Sequence, residues 1–151
     1  IHYLKECIPN GMLSADIITG FPQETDKDFN ETLEFFKQEE FLHIHIFPYS
    51  KREGTVASTM SGQVDESVKR KRLHMLEALQ ANIKRSILAN VVDSNKELEV
   101  LCEAYDGEYI LGHTDNFIEV KFPYHKKISG EFVKVKPVSS DDAYIYADLI
   151  K

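Results

Sequence analysis

One stretch decides how the rest of the chain is interpreted, and it runs Asp16-Ile17-Ile18-Thr19-Gly20-Phe21-Pro22-Gln23-Glu24-Thr25. Its β-branched first half predicts a buried strand. Gly20 allows a tight turn or a close approach to a ligand, and Pro22 keeps the residue before it out of a helix. Thr25 is a good N-cap for the acidic helix start that follows. The stretch predicts a ligand-facing edge of an α/β fold, with a plain strand-to-helix turn as the simpler alternative.

A second strand follows this edge after one helix. Residues 26–40 form the predicted helix, on which Phe29, Leu33 and Phe36 make an apolar stripe. Residues 42–47 then predict a second strand, so the segment is a βαβ unit with parallel strands. Because two strands alone do not make a stable parallel sheet, we expect the unit to belong to a larger barrel or open sheet whose other strands lie outside this chain.

The rest of the chain predicts a long helix and then a small barrel. Asp65 caps a helix that runs to about Ala89. After Asn90 the apolar period becomes alternating and gives five short strands, which suit an antiparallel OB-like barrel. The predicted fold class is therefore α+β, with residues 1–90 as the carboxyl-terminal part of a larger α/β barrel and residues 91–151 as the small five-stranded barrel.

The composition and charge of the chain argue against several classes of function. The formal net charge is −7 over 151 residues, and only residues 41–91 are basic, with 8 cationic and 4 acidic side chains. This argues against nucleic-acid binding by the whole chain. The two cysteines, Cys7 and Cys102, are too few for a disulfide framework or an iron–sulfur site, so we expect a reduced, cytoplasmic protein. No segment predicts a membrane span, and the absence of an initiator Met leads us to expect a piece of a longer protein.

Three segments carry a family resemblance. Residues 16–25 resemble the Asp-Ile-Ile-Val-Gly-Phe-Pro-Gly-Glu-Thr segment of radical-SAM methylthiotransferases, the MiaB-like tRNA-modifying enzymes. Residues 45–55, followed by Gln63-Val64 and a helix with Arg72-Leu73, resemble a later part of the same barrel. Residues 111–117 and 130–135 are similar to the TRAM domain, an RNA-binding barrel that ends these enzymes. The amino-acid sequence of residues 45–55 most resembles that of the MtaB branch, which acts on threonylcarbamoyl-adenosine beside the anticodon.

The chain departs from the family at two points. Gln23 stands where the family usually has Gly, which questions the local turn geometry. The Cys-x-x-x-Cys-x-x-Cys motif of the radical-SAM cluster is absent, and so is the amino-terminal domain with its second cluster. The resemblance therefore implies the carboxyl-terminal part of a tRNA methylthiotransferase. It implies S-adenosylmethionine and 4Fe-4S clusters in the full-length parent, none bound by this fragment, and no activity for the fragment alone.

The resemblance also assigns residues. It implies S-adenosylmethionine contacts from residues at the two strand ends, namely Gly20, Phe21, Glu24, Phe47, Tyr49, Ser50 and Arg52. For Glu24 the alternatives are an amine contact and support of the first helical turn. It implies tRNA contact, near the anticodon loop, from cationic and aromatic residues, namely Lys121, Lys134, Lys136, Phe117, Arg70 and Arg72. No catalytic residue is assigned. His43 and His45 share a strand face but lack a third ligand, so no metal site is assigned either.

Other expectations concern partners. The missing amino-terminal half of the same enzyme is the expected intramolecular partner. The first strand should expose an unpaired edge, which predicts dimerisation or strand exchange through Ile17 or Ile18. The rival hypotheses from other classes are a stand-alone RNA-binding module with no catalytic role and a structural role in assembly. A charged but unused surface is the alternative to RNA contact by the basic helix.

Overall fold

A computed structural model describes residues 1–124 and 128–150, which form two compact units. The sheet unit is Leu13–Ile83, and the barrel unit comprises Ile1–Met12 and Lys84–Lys151. The helices are α1 (His2–Cys7), α2 (Asp26–Glu39), α3 (Val56–Thr59) and α4 (Glu66–Asp93). The strands are β1 (Ser14–Thr19), β2 (His43–Pro48), β3 (Leu98–Tyr105), β4 (Tyr109–Thr114), β5 (Glu119–Pro123), β6 (Phe132–Ser140) and β7 (Ile145–Leu149). Within the described part of the chain, no helix is both long enough and apolar enough to cross a bilayer.

The sheet unit contains the predicted βαβ arrangement. Strands β1 and β2 pair in parallel, from Ser14 opposite His43 to Thr19 opposite Pro48, and α2 connects them. Helix α2 begins with a capping box, in which the Thr25 hydroxyl accepts from the Asp28 N–H and the Asp28 carboxylate accepts from the Thr25 N–H. That contact lowers the pKa of Asp28. The helix ends at Glu40, which takes a left-handed conformation.

The core of the sheet unit lies between the sheet and the two long helices. The predicted stripe on α2 is confirmed, since Phe29 and Phe36 are buried and Leu33 packs beside them. Phe41, Ile44 and the fully buried Leu76 of α4 complete the cluster. Burying such side chains contributes about 1.5–3 kcal/mol each, so this cluster fixes α2 and the first half of α4 within the unit.

The barrel unit corrects one prediction. The five strands close in the order β3-β4-β5-β7-β6, and β5 pairs with β7 in parallel rather than antiparallel. The physical reason is the odd strand number, because strand direction cannot alternate all the way around a closed ring of five. One parallel pair is therefore unavoidable once the ring closes. The architecture is otherwise consistent with the predicted OB-like barrel.

Alternation along the strands builds the barrel core. The inward side chains are buried hydrophobic residues, including Val100, Val120, Phe122, Val135 and Ile145. Gly112 faces the neighbouring strand so closely that a Cβ atom there would overlap the Leu101 carbonyl oxygen. Two features were not predicted, the short helix α3 and the length of β6, which continues to Ser140.

Candidate functional site

The candidate site lies where β1 and β2 end. Ile18 is paired with Phe47 and Thr19 with Pro48, and the Tyr49 N–H donates to the Thr19 carbonyl at 2.8 Å. Since parallel strands end at the same sheet edge, this brings Phe21 beside Tyr49, with ring centroids 5.3 Å apart in an edge-to-face arrangement. Phe21 is 41% exposed and Phe47 is 53% exposed. The edge thus presents two accessible aromatic rings.

Gly20 is required here for a reason the sequence did not reveal. Its φ of +72° is a left-handed conformation, and a Cβ atom there would overlap Cγ of Lys69. The close approach at Gly20 is therefore made by the aliphatic stem of Lys69. The Lys69 ammonium lies 5.2 Å from the centre of the Tyr49 ring and 2.6 Å from Oε1 of Glu66. Lys69 is 4% exposed, so it is buried although it lies in a run of four cationic residues.

Glu24 and Arg72 hold the turn that follows Gly20. The Gly20 N–H donates to the Glu24 carboxylate, whose Oε2 also accepts from Nη1 of Arg72 at 2.8 Å. Arg72 Nη1 lies 3.2 Å from the Glu24 carbonyl oxygen, and Nη2 lies 2.8 Å from Oδ1 of Asp26. The guanidinium also lies over Phe29, 5.3 Å from the ring centre. The Glu24 carboxylate thus serves the chain itself, by holding the turn.

The structure places Arg72 inside the sheet unit. The sequence grouped it with the RNA-contact candidates, but Arg72 is 4% exposed and its charge is neutralised inside the sheet unit. The physical reason is helical periodicity, since residues 69 and 72 are three apart and share the inner face of α4. Arg70 lies on the exposed face instead.

The turn tolerates the glutamine that replaces the family's glycine. Gln23 has a φ of +73°, and its N–H donates to the Gly62 carbonyl at 2.8 Å. The Glu24 N–H closes the turn on the Phe21 carbonyl at 3.0 Å. A left-handed conformation costs a non-glycine residue about 1–2 kcal/mol. The turn therefore keeps a glycine-like shape and carries a local strain at residue 23.

Two buried hydroxyls at this edge have no hydrogen-bond partner within the described residues. They are Thr19 Oγ1, on a residue with no exposed surface, and Tyr49 Oη, on a residue 8% exposed. An unpaired buried hydroxyl costs about 1–3 kcal/mol. Ser50 and Arg52 follow in an exposed segment, where the Arg52 carbonyl accepts from the Thr55 hydroxyl at 2.8 Å. The edge combines unpaired buried polar atoms, exposed rings and an exposed guanidinium.

These features fit the nucleoside and carboxylate chemistry of S-adenosylmethionine, because accessible rings suit a flat base and Arg52 suits a carboxylate. A 4Fe-4S cluster does not fit the thiols of this chain. Cys102 is buried in the barrel core, and its burial raises the pKa of the thiol, whereas Cys7 is exposed on α1. His43 and His45 stack with ring centroids 6.5 Å apart, and no described residues form a group of three metal ligands.

The barrel lysines proposed for RNA contact have acidic neighbours. Lys134 is paired across the sheet with Glu99, and Lys136 with Asp148. Lys121 lies over the Tyr144 ring, 4.0 Å from its centre. Its charge also contributes to lowering the pKa of Asp141, which is held down chiefly by the Tyr144 N–H. Lys134 and Lys136 therefore each stand opposite a carboxylate in the barrel sheet.

Phe117 is the most exposed aromatic candidate on the barrel. It is 71% exposed, has a φ of +63°, and its ring centroid lies 6.5 Å from that of His113. The hairpin is fixed by Thr114, whose carbonyl accepts from the Phe117 N–H at 3.0 Å. An exposed ring at a strained position is the kind of feature that contact with a partner explains.

Comparison with known proteins gives a consistent result. No family model matches the chain. It is 36% identical over 147 residues to the threonylcarbamoyladenosine tRNA methylthiotransferase MtaB of Bacillus subtilis, covering 95% of this chain and 33% of that protein. It is 38% identical over 149 residues to the ribosomal protein uS12 methylthiotransferase RimO of Clostridium botulinum, covering 94% of this chain and 33% of that protein.

A third relative is a tRNA-2-methylthio-N(6)-dimethylallyladenosine synthase of Campylobacter jejuni. It is 36% identical over 148 residues, covering 97% of this chain and 34% of that protein. The chain thus spans about a third of the length of the curated relatives it matches.

Proposed function

Because the chain belongs to the radical-SAM methylthiotransferase family, we propose that it is the carboxyl-terminal part of a tRNA methylthiotransferase. In this proposal the sheet unit is the end of a partial radical-SAM barrel, and the small barrel is a TRAM domain. We place the boundary between the two functional parts near residue 90, within α4, whereas the compact units divide after Ile83. The full-length parent acts on a modified adenosine beside the anticodon, as the resemblance to the MtaB branch implies, in the cytoplasm. S-adenosylmethionine, when bound by the parent, supplies the radical chemistry.

The observation that carries this proposal is the β1–β2 edge. Backbone at Gly20 and Phe21, the rings of Phe47 and Tyr49, and the Ser50 segment line one side of the S-adenosylmethionine pocket. The Tyr49 hydroxyl, which is buried without a partner, is available to a ligand polar atom. Arg52 binds the ligand carboxylate. Glu24 contributes indirectly, because its carboxylate keeps the Gly20 N–H and Arg72 in place.

A test uses the full-length parent and separates the two substrates. Phe47→Ala removes an exposed ring without disturbing the core, so the KM for S-adenosylmethionine should rise about tenfold while tRNA affinity is unchanged. Val56→Ala, at another exposed apolar side chain of the same unit, is the control and should leave both unchanged. An unaltered KM in Phe47→Ala would remove this edge from the pocket.

The macromolecular substrate has a second candidate. The RimO relative is named for action on ribosomal protein uS12 and is as similar to the chain as the tRNA enzymes are. Competition between an anticodon stem-loop RNA and uS12 for the full-length protein distinguishes them. Displacement of uS12 by RNA supports the tRNA enzyme, and selective retention of uS12 supports the ribosomal one.

The fragment alone should be inactive, since a radical-SAM cluster needs three thiolates that this chain does not supply. Reconstitution with iron and sulfide should therefore give no 4Fe-4S absorption band. We also propose that the edge of β1 away from β2 is covered by the rest of the parent, which would also cover Ile18, 54% exposed on the sheet face. In the isolated chain it would pair two copies, which light scattering at high concentration detects as a dimer.

A further inference from the structure

The exposed side of α4 carries a cluster around Arg70, one of the residues expected to contact tRNA. Ser67, Arg70, Lys71, His74, Met75 and Ala78 line a shallow groove of about 550 Å³. Their spacings of three, four and seven residues place them on one helix face. We call this set the α4 basic face. Met75 is 39% exposed and provides an apolar floor between the cations.

Arg70 and Lys71 have no ion-pair partner within the described residues, whereas the cations on the opposite face do. Lys69 and Arg72 are buried and paired with Glu66, Glu24 and Asp26. Arg70 and Lys71 are exposed and enter none of the ion pairs. Two adjacent unpaired cations on a chain of net charge −7 make a local attraction for an anionic partner.

The other polar groups of the face are engaged within the chain, so phosphate contact falls to Arg70 and Lys71. The Ser67 hydroxyl donates to Oδ1 of Asp65, so its proton is not free for a phosphate oxygen. His74 Nδ1 lies 3.0 Å from Oε2 of Glu77, so its ring is held along the helix surface. Arginine and lysine side chains are among the groups that contact phosphates in protein–nucleic acid complexes.

The barrel lysines, which are the other candidates for phosphate binding, differ from Arg70 and Lys71 in their neighbours. Lys134 and Lys136 each have a carboxylate as their cross-strand neighbour, so a phosphate approaching them meets both signs of charge. The opposite charge weakens the attraction of each lysine for a phosphate. The carboxylate at helical spacing from Arg70 is that of Glu66, four residues earlier, and it is engaged by the Lys69 ammonium at 2.6 Å.

We propose that the α4 basic face is the main phosphate-binding surface of this chain, and that its occupant is the sugar-phosphate backbone of the substrate RNA. Arg70 and Lys71 contact successive phosphates, and Met75 contacts the intervening sugar. The inference rests on the proposed action on RNA. It narrows the expectation that barrel lysines and helix arginines share the electrostatic contact, and it leaves the barrel the role of holding exposed bases at Phe117.

The test is a salt titration of anticodon stem-loop RNA binding by the full-length protein. Each lost phosphate contact reduces the slope of log K against log salt by about 0.7–0.9. Arg70→Ala with Lys71→Ala should therefore reduce the slope by about 1.4–1.8 and weaken binding about 25- to 60-fold at 0.1 M salt. Arg70→Lys with Lys71→Arg keeps both charges and should retain the slope.

Two matched controls have the same change in net charge. Lys27→Ala with Lys37→Ala removes two exposed cations from α2 and should leave the slope unchanged. Lys134→Ala with Lys136→Ala should reduce the slope by less than the α4 pair does. A larger loss from the barrel pair than from the α4 pair would overturn the inference while leaving RNA binding intact. Absence of salt-dependent RNA binding in the unchanged protein would overturn the proposed action on RNA itself.

Discussion

Replacing Arg72 by methionine should destabilise the sheet unit, because it leaves the Glu24 carboxylate without its cation. Methionine keeps an apolar stem of similar length against Phe29, so the change isolates the charge. The side chains of Arg72 and Glu24 are 5% and 14% exposed, so the ion pair is largely desolvated. The Asp26 side chain is 92% exposed, so removing the cation beside its carboxylate changes the free energy of unfolding little.

The magnitude follows from these burials. Removing one partner of a buried ion pair costs about 3–5 kcal/mol. The Gly20 N–H still donates to Glu24 in the variant, which favours the lower end of that range. Arg72 Nε is buried without a partner in the native protein, and losing it recovers about 1 kcal/mol. The expected net loss in the free energy of unfolding is about 2–3 kcal/mol.

The assay must report on the sheet unit, and the chain has no tryptophan to serve as a probe. Amide hydrogen exchange at Gly20 reports directly, since its N–H donates to the affected carboxylate. A loss of 2 kcal/mol corresponds to about 30-fold faster exchange. Glu24→Gln in the Arg72→Met background removes the uncompensated charge and should recover about 1 kcal/mol. Exchange at the native rate in Arg72→Met, or a fully additive loss in the double variant, would refute the reasoning.

Three further outcomes are expected. Gly112→Ala should cost more than 2 kcal/mol, measured by urea unfolding of the barrel, because its Cβ would overlap the Leu101 carbonyl oxygen; a native midpoint would contradict this. Cys7 should react with a thiol reagent at once and Cys102 only on unfolding, since burial raises the pKa of its thiol; equal rates would be inconsistent. The pKa of Asp141 is lower in the folded state than in the unfolded state, so the unfolded state binds more protons in acid. The free energy of unfolding should therefore fall as the pH drops below about 4. Asp141→Asn should flatten that pH dependence in an acid titration followed by circular dichroism.

Local patterns predicted the elements because each is determined by nearby residues. The stripe of Phe29, Leu33 and Phe36 predicted α2, and the alternation after Asn90 predicted the barrel strands. The prediction that all barrel strands are antiparallel was wrong for β5 and β7, because strand pairing in a closed ring depends on the whole topology. Short polar segments such as α3 carry little periodic signal, which explains why that helix was not predicted.

The sequence predicted where the candidate site lies, but only some of the contacts within it. A glycine after a strand predicts close approach, but sequence does not say what approaches, and at Gly20 it is the stem of Lys69 from a helix 49 residues later. The same limit applies to Lys69–Arg72, a run of four cations that looks uniform in sequence. Folding it into a helix divides it into an inner pair and an outer pair.

That division gives the helix two separable tasks. Lys69 and Arg72 face inward, where their charges are paired and their stems fix the Gly20 turn. Arg70 and Lys71 face outward, where their charges are unpaired and available to an anion. A change on the inner face should therefore alter Gly20 exchange and the affinity for S-adenosylmethionine, and a change on the outer face should alter the salt dependence of RNA binding. Because the two faces share one rigid helix, the turn that borders the proposed cofactor pocket and the proposed RNA surface are held in a fixed relation within the sheet unit.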